Sequence, residues 1–165
     1  MIGTTFVVRT ATGADADAAC VDLWVAAVAD RDGLPASPAV RERARTKFAA
    51  DRVALVVADD PAGAPVGFAL VTAPGTGGTP SDAAYLSLLA VAPTAQGHGL
   101  GRRLLAAAVA AAAEAGHAQC ELHALDDNAP ALALYASAGF RPVGDSFPHA
   151  LSGRPTRVWR TGADR

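Results

Sequence analysis

Three glycines at alternate positions, Gly97, Gly99 and Gly101, stand where an apolar strand gives way to an alanine-rich helix, in the segment Gln96-Gly97-His98-Gly99-Leu100-Gly101-Arg102-Arg103. Glycine lets the chain turn sharply and leaves backbone N–H groups uncovered at a helix N-terminus, a place suited to phosphate. Arg102 and Arg103 point the same way, because cations in a first helical turn oppose the macrodipole by roughly 0.3–1 kcal/mol each, a conflict that an anion relieves. A second set of reactive types follows. Glu121 and His123 lie two apart on a predicted strand and therefore share a face, and Asn128 and Tyr135 sit at the start and middle of a predicted helix. Histidine can take a proton near neutral pH, and a tyrosine hydroxyl can give one.

Spacing separates the phosphate-binding alternatives. A P-loop needs Lys followed by Ser or Thr after its last glycine, and Arg102-Arg103 does not provide it. The dinucleotide fingerprint G-x-G-x-x-G needs glycine at position 102 and a first glycine directly after the strand, whereas the five residues Ala92 to Gln96 intervene. Glu121, about twenty residues beyond Gly101, stands where that fold places its ribose-binding acid, so an NAD-dependent oxidoreductase stays open.

The run Val91-x-Pro93-x-x-Gln96-Gly97-x-Gly99-x-Gly101 with its Leu-Leu helix resembles the acetyl-coenzyme A signature, (Q/R)-x-x-G-x-(G/A), of the GNAT superfamily of N-acetyltransferases. A second stretch, Asn128-x-x-Ala131-x-x-Leu134-Tyr135-x-x-x-Gly139-Phe140, is similar to that family's other recurring motif. The resemblance implies a mixed α/β fold with a central sheet of about seven strands and four helices, in which two parallel strands splay apart to admit acetyl-CoA as cosubstrate. It implies that backbone groups at Leu89 and Val91 pair with the pantetheine arm. The segment Gln96, Gly97, His98, Gly99, Leu100, Gly101 and Arg102 would hold the pyrophosphate, Asn128 would bond the cofactor from across the cleft, and Tyr135 would protonate the leaving thiolate. Many relatives carry a glutamate on the central strand, and Tyr85 to Val91 has none. The candidate bases are therefore His123, five residues before the motif asparagine, then Glu121; otherwise an ordered water, which Ser87 could position, or no dedicated base at all. The function so implied is transfer of an acetyl group to a primary amine of a small molecule, protein N-terminus or lysine by direct attack in a ternary complex. A non-catalytic acyl-CoA sensor is the main alternative. Family members commonly form dimers, so a homodimer is possible.

The elements that must position these residues are legible from their patterning. Thr5 to Ala11 reads as a strand with Phe6 and Val8 on one face, and Thr12 to Ala29 as a helix ended by Asp30-Arg31-Asp32-Gly33-Leu34-Pro35. Ser37 caps a second helix to Ala50, with Pro38 at its first position. Arg52–Asp59 and Pro65–Ala73 form a hairpin, and Pro74–Asp82 is a loop rich in Gly, Thr and Pro. Tyr85–Val91 has the unbroken apolarity of a strand covered on both faces. Gln119–Leu125 is a strand and Ala129–Ala138 a helix capped by Asn128 and closed by Gly139. Strands at Phe140–Asp145 and Thr156–Arg160 complete the chain.

Residues 1–165 read as a single domain, with 51% hydrophobic and 18% charged residues. A net charge of -2 gives no basic face for nucleic acid, and no apolar run is long enough to span a bilayer, so a cytoplasmic protein is expected. The sole lysine, Lys47, reads as codon usage in a GC-rich genome. Cys20 and Cys120 are too few for a disulfide framework. A metal cluster of His117, Cys120 and His123 is disfavoured, because alternation sends Cys120 and His123 to opposite faces of a strand. Asp30 and Asp32 could draw a cationic acceptor, and His149 or Arg154 an anionic one.

Overall fold

The computed structural model describes residues 5–161, so Met1 to Thr4 and Gly162 to Arg165, both within the expected single domain, lie outside the described residues. The element order is β1 (Val7–Ala11), α1 (Asp17–Asp32), α2 (Pro38–Ala49), β2 (Arg52–Asp59), β3 (Pro65–Thr72), β4 (Ala84–Val91), α3 (Leu100–Glu114), β5 (Cys120–Leu125), α4 (Ala129–Ser137), β6 (Arg141–Pro148) and β7 (Pro155–Arg160). The strands form one seven-stranded sheet in the order β1-β2-β3-β4-β5-β7-β6. Every pairing is antiparallel except β4 with β5.

That one parallel pair organises the molecule. It holds for only two register positions, Ala84↔Cys120 and Tyr85↔Glu121, after which the strands diverge. On its other edge β4 stays paired with β3 through Val91, with an irregularity opposite Leu70 and Val71 that leaves Ser87 as an extra residue. From Leu86 onward the β5-facing edge of β4 therefore has no strand partner, as in the splay that the resemblance implied.

Two apolar layers hold the sheet. Beneath α3, Val56, Ala69, Val71 and Leu86 pack with Leu100, Leu104, Leu105, Leu122 and Phe140. On the opposite face Leu55, Val57, Phe68, Leu70 and Leu88 pack with Cys20, Val21 and Ala44 of α1 and α2. Cys120, Leu122 and Ala124 lie in the α3 layer, so Glu121 and His123 project to the α1/α2 face, as strand alternation requires. Burial pushes the Cys120 thiol up to about 11 and the Cys20 thiol up to about 12, so both stay protonated and inert.

Several boundaries differ from the sequence-based expectation. Helix α1 starts at Asp17, not Thr12, because the chain bends at Gly13, where φ is 72°, and then makes a turn over 14–17 closed by Asp17 N–H to the Ala14 carbonyl. The Asp17 carboxylate then takes both oxygens' worth of hydrogen bonds from Arg52 at 2.9 Å. At its far end α1 runs on to Asp32, so Asp30 to Asp32 is helix rather than a break, and Leu34 N–H closes it on the Ala29 carbonyl. Ser37 and Asn128 occupy N-cap positions, but neither side chain makes a capping bond. Strand β6 extends past Asp145 to Pro148, which carries Phe147 over the sheet.

Candidate active site

The divergence of β4 from β5 opens a cleft of about 740 Å³ that passes through the sheet from the α3/α4 side to the α1/α2 side. Its α3/α4 mouth is built from the glycine segment. Gly97 and Gly99 have φ of 84° and 73°, a left-handed conformation that only glycine adopts without strain, and Gly99 is the N-cap of α3 with no side chain capping it. The first-turn amides are thus left for an anion. At Gly101 an added Cβ would press to 3.3 Å on Leu134 of α4, so glycine here keeps the two helices close.

Each residue singled out in the sequence has a definite place. Leu89 and Val91 stand on the unpartnered edge of β4, half-buried, and line the cleft. Gln96, Gly97, Gly99, Leu100, Gly101 and Arg102 also line it, the Leu100 side chain being sunk in the core. Gln96 Nε2 reaches the Val91 carbonyl at 3.4 Å and ties the loop to the strand end. His98 is not a lining residue; its ring packs edge-on against Phe6 at 5.2 Å. Arg103 turns away as well, its guanidinium donating to the Phe6 carbonyl at 3.3 Å, so Arg102 is the arginine of that pair that faces the cleft. Asn128, free of capping duty, lines the opposite wall.

Tyr135 is held from two directions. Helix α4 ends with Gly139 N–H on the Ala136 carbonyl and Phe140 N–H on the Tyr135 carbonyl, and the Phe140 ring lies 6.1 Å from the Tyr135 ring. Burial pushes the Tyr135 phenol up to about 12, so it keeps its proton at neutral pH.

His123 stands between Tyr85 at 4.9 Å and Phe147 at 5.2 Å, both edge-on. Its Nε2 is buried without a hydrogen-bond partner among the described residues. Burial lowers its pKa below the ordinary value, Glu121 opposes this, and Lys47, Arg43 and His149 add to it. Glu121, the second candidate base, is turned elsewhere. It is 3% exposed, does not line the cleft, and accepts from Arg160 at 2.6 and 3.2 Å through one oxygen.

The sequence reading missed the cationic wall on the α1/α2 side. Arg31, Arg43 and Lys47 line the cleft there with His149 and Phe147. Lys47 Nζ donates to the Ser87 carbonyl at 3.3 Å and lies 5.7 Å from the centre of the Tyr85 ring. Its burial, with Arg43 nearby, lowers its pKa to about 8. The Arg43-Lys47 spacing of one helical turn was the available signal, though only the packing of α2 on the sheet shows which way it faces. Asp30, Asp32 and Arg154 do not line the cleft; Arg154 bonds Asp127 at 2.8 Å and Asp32 at 3.4 Å. Among the described residues no group of three His, Cys, Asp or Glu could hold a metal, and no helix is long and apolar enough to cross a membrane.

A model of the Acetyltransferase (GNAT) family matches residues 21–140, and the chain belongs to that family. It is 47% identical over 58 residues to the mycothiol acetyltransferase of Clavibacter sepedonicus, a match covering 35% of this chain and 19% of that protein. Among solved structures it superposes on the ribosomal-protein-S18-alanine N-acetyltransferase of Escherichia coli with a TM-score of 0.70 at 22% identity, over 95% of this chain and 93% of that one. It likewise matches the Salmonella typhimurium protein yncA, solved with its cofactor acetyl-CoA, with a TM-score of 0.68 at 19% identity, over 98% and 95%.

Proposed function

We propose that this chain is an acetyl-CoA-dependent N-acetyltransferase in which an amine attacks the thioester directly, with His123 taking the amine's proton and Tyr135 protonating the departing thiolate. Family membership carries the reaction class. The observation that carries the rest is one cleft through a split sheet, with the uncapped α3 N-terminus and Tyr135 on one side and His123 on the other.

The residues present suit the donor. Uncapped amides at Leu100 to Arg102, with the Arg102 charge, answer a pyrophosphate, and the unpartnered edge of β4 at Leu89 and Val91 answers an arm bearing amides. Asn128 can close on it from the far wall. When bound, acetyl-CoA supplies the activated acetyl carbonyl. The transfer then forms one C–N bond and breaks one C–S bond. One ammonium proton passes to His123 Nε2, the orphaned buried atom; the thiolate receives the Tyr135 proton, and the second proton lost by the nitrogen as the amide forms restores the phenol. The lowered pKa leaves His123 neutral and able to accept at neutral pH. Glu121, engaged by Arg160, holds charge next to His123 rather than reaching an acceptor. Two inert thiols leave no activated cysteine for a covalent acetyl intermediate. We place the protein in the cytoplasm, where acetyl-CoA is available.

A thermal-shift titration with acetyl-CoA, free CoA and NAD tests the donor site, since a ligand bound only by the folded state raises Tm. Stabilisation by both CoA species and not by NAD is expected; stabilisation by NAD alone would overturn the assignment. Tyr135→Phe is expected to lower kcat roughly 10²-fold with the KM for acetyl-CoA little changed. Turnover undiminished in both Tyr135→Phe and His123→Ala would remove the two roles.

A further inference from the structure

We infer that the acceptor is an acid-bearing amine, a small molecule whose amino group lies close to a carboxylate or an equivalent phosphorus oxyacid, and that Arg43 and Lys47 hold that acid. This rests on the acetyltransferase reading above and concerns the α1/α2 mouth, away from the glycine loop.

The chain carries 16 acidic residues against 14 Lys and Arg, yet among the described residues no Asp or Glu lines the cleft, while Arg31, Arg43, Lys47 and Arg102 do. Most acids of the surrounding helices and of β5 are engaged outside it, Asp17 with Arg52, Asp22 with Arg41, Asp32 with Arg31 and Arg154, Glu42 with Arg45 and Glu121 with Arg160, while Asp30 is exposed and does not line the cleft. Arg102 sits at the donor mouth. Arg31 already has a counter-charge in Asp32 at 2.9 Å. Arg43 and Lys47 are different. Among the described residues Arg43 has no hydrogen bond or ion pair, and Lys47 has only the Ser87 carbonyl and the face of Tyr85.

Two like charges four residues apart on a helix repel each other, and partial burial strengthens that repulsion by lowering the local dielectric. Arg43 indeed disfavours the charged form of Lys47, and burial disfavours it more. An anion seated between them offsets both penalties. The Arg43 fork can take a carboxylate or phosphonate through two parallel bonds, and Lys47 adds a point charge beside it. Lys47 also touches Tyr85, which packs on His123, so an acid held by Lys47 leaves its amine near the proposed base. The same wall repels polyamines, aminoglycosides and lysine-rich peptides.

The test is thiol release from acetyl-CoA by the intact protein. Its acceptors are α-amino acids, their primary amides, aminoalkylphosphonates, spermidine and an aminoglycoside. At least one acid-bearing amine is expected to exceed its matched amide at least tenfold in kcat/KM, with the carboxylate and phosphonate arms telling which oxyacid fits. Arg43→Gln and, separately, Lys47→Gln should raise the KM of that acceptor tenfold or more and leave the KM for acetyl-CoA unmoved. The inference is overturned if amides or polyamines react as well, if both variants leave the acceptor KM unchanged, or if acetyl-CoA stabilises the protein and no acid-bearing amine reacts. Failure of acetyl-CoA to stabilise the wild type would instead sink the reading on which the inference rests, and the inference with it.

Discussion

His123 is set apart from an ordinary core histidine by what its neighbours leave undone. A ring between Tyr85 and Phe147 is well packed, yet its Nε2 is buried with no hydrogen-bond partner among the described residues, a condition that costs about 1–3 kcal/mol unless a ligand relieves it. The groups acting on it are Glu121, which favours the imidazolium, and Lys47, Arg43 and His149, which with burial oppose it more strongly. Its folded pKa is therefore depressed. Two consequences follow with the same sign. Activity that needs the neutral ring is retained above the ordinary value near 6.5 and is lost as pH falls through the depressed value. Stability from this group is likewise complete above the unfolded value and declines as pH falls. The log kcat/KM profile should thus show an acid limb with its midpoint below 6.5. In His123→Gln that limb should vanish, leaving a profile set by the acceptor amine, with kcat down roughly 10²-fold. An unchanged limb in the variant would assign it to another group.

Elements decide how close such residues come, and the loop between β3 and β4 shows it best. Pro74–Asp82 reads from its composition as a loop rich in Gly, Thr and Pro, but Gly77 rests on the ring of buried Tyr85, and an added Cβ would fall 2.6 Å from Cε1. The ring cannot yield easily, because His123 stands against it and Lys47 lies over it. Gly77→Ala should destabilise the fold by about 1–3 kcal/mol and lower Tm by several degrees. It should raise the acceptor KM while leaving acetyl-CoA stabilisation intact, since the displaced ring lies on the α1/α2 side. A melting temperature equal to wild type would show that the loop gives way instead. What was legible in the sequence follows the same division. Strands β4 and β5, helix α3 and the end of α4 are written in local signals, namely apolar runs, proline and glycine. The start of α1 was misread because Thr12 imitates a helix cap while Gly13 turns the chain, and because the Asp17–Arg52 pair joins distant segments. The cationic wall was illegible for a related reason. Arg31 and Lys47 come from different helices, and only their packing on the sheet brings them to one cleft.

At the scale of the molecule, the cleft divides the sheet into unequal parts. Strands β1 to β4 pair along their lengths, whereas β5 to β7 join them through only Ala84↔Cys120 and Tyr85↔Glu121. The remaining attachment includes the Arg154–Asp32 ion pair at 3.4 Å and apolar packing, in which Leu122 and Phe140, both nearly inaccessible, meet Leu100, Leu104 and Leu105. Burial of two such side chains contributes roughly 3–6 kcal/mol, enough to keep the parts together but less than the hydrogen-bonded β2–β3 core adds to its own layer. Local opening should therefore begin at the seam. A donor bound as proposed would bridge β4, α3 and α4, and at a concentration of 100 Kd it would add about 2.7 kcal/mol against any opening that releases it. Amide hydrogen exchange measures this directly. Without ligand, β5 and β7 amides should exchange faster than those of β2 and β3; with acetyl-CoA they should slow by about 100-fold, while the outer strand β1, which does not line the cleft, changes least. Equal protection of β5 and β2 in the free protein would mean that the seam is no weaker than the rest of the sheet.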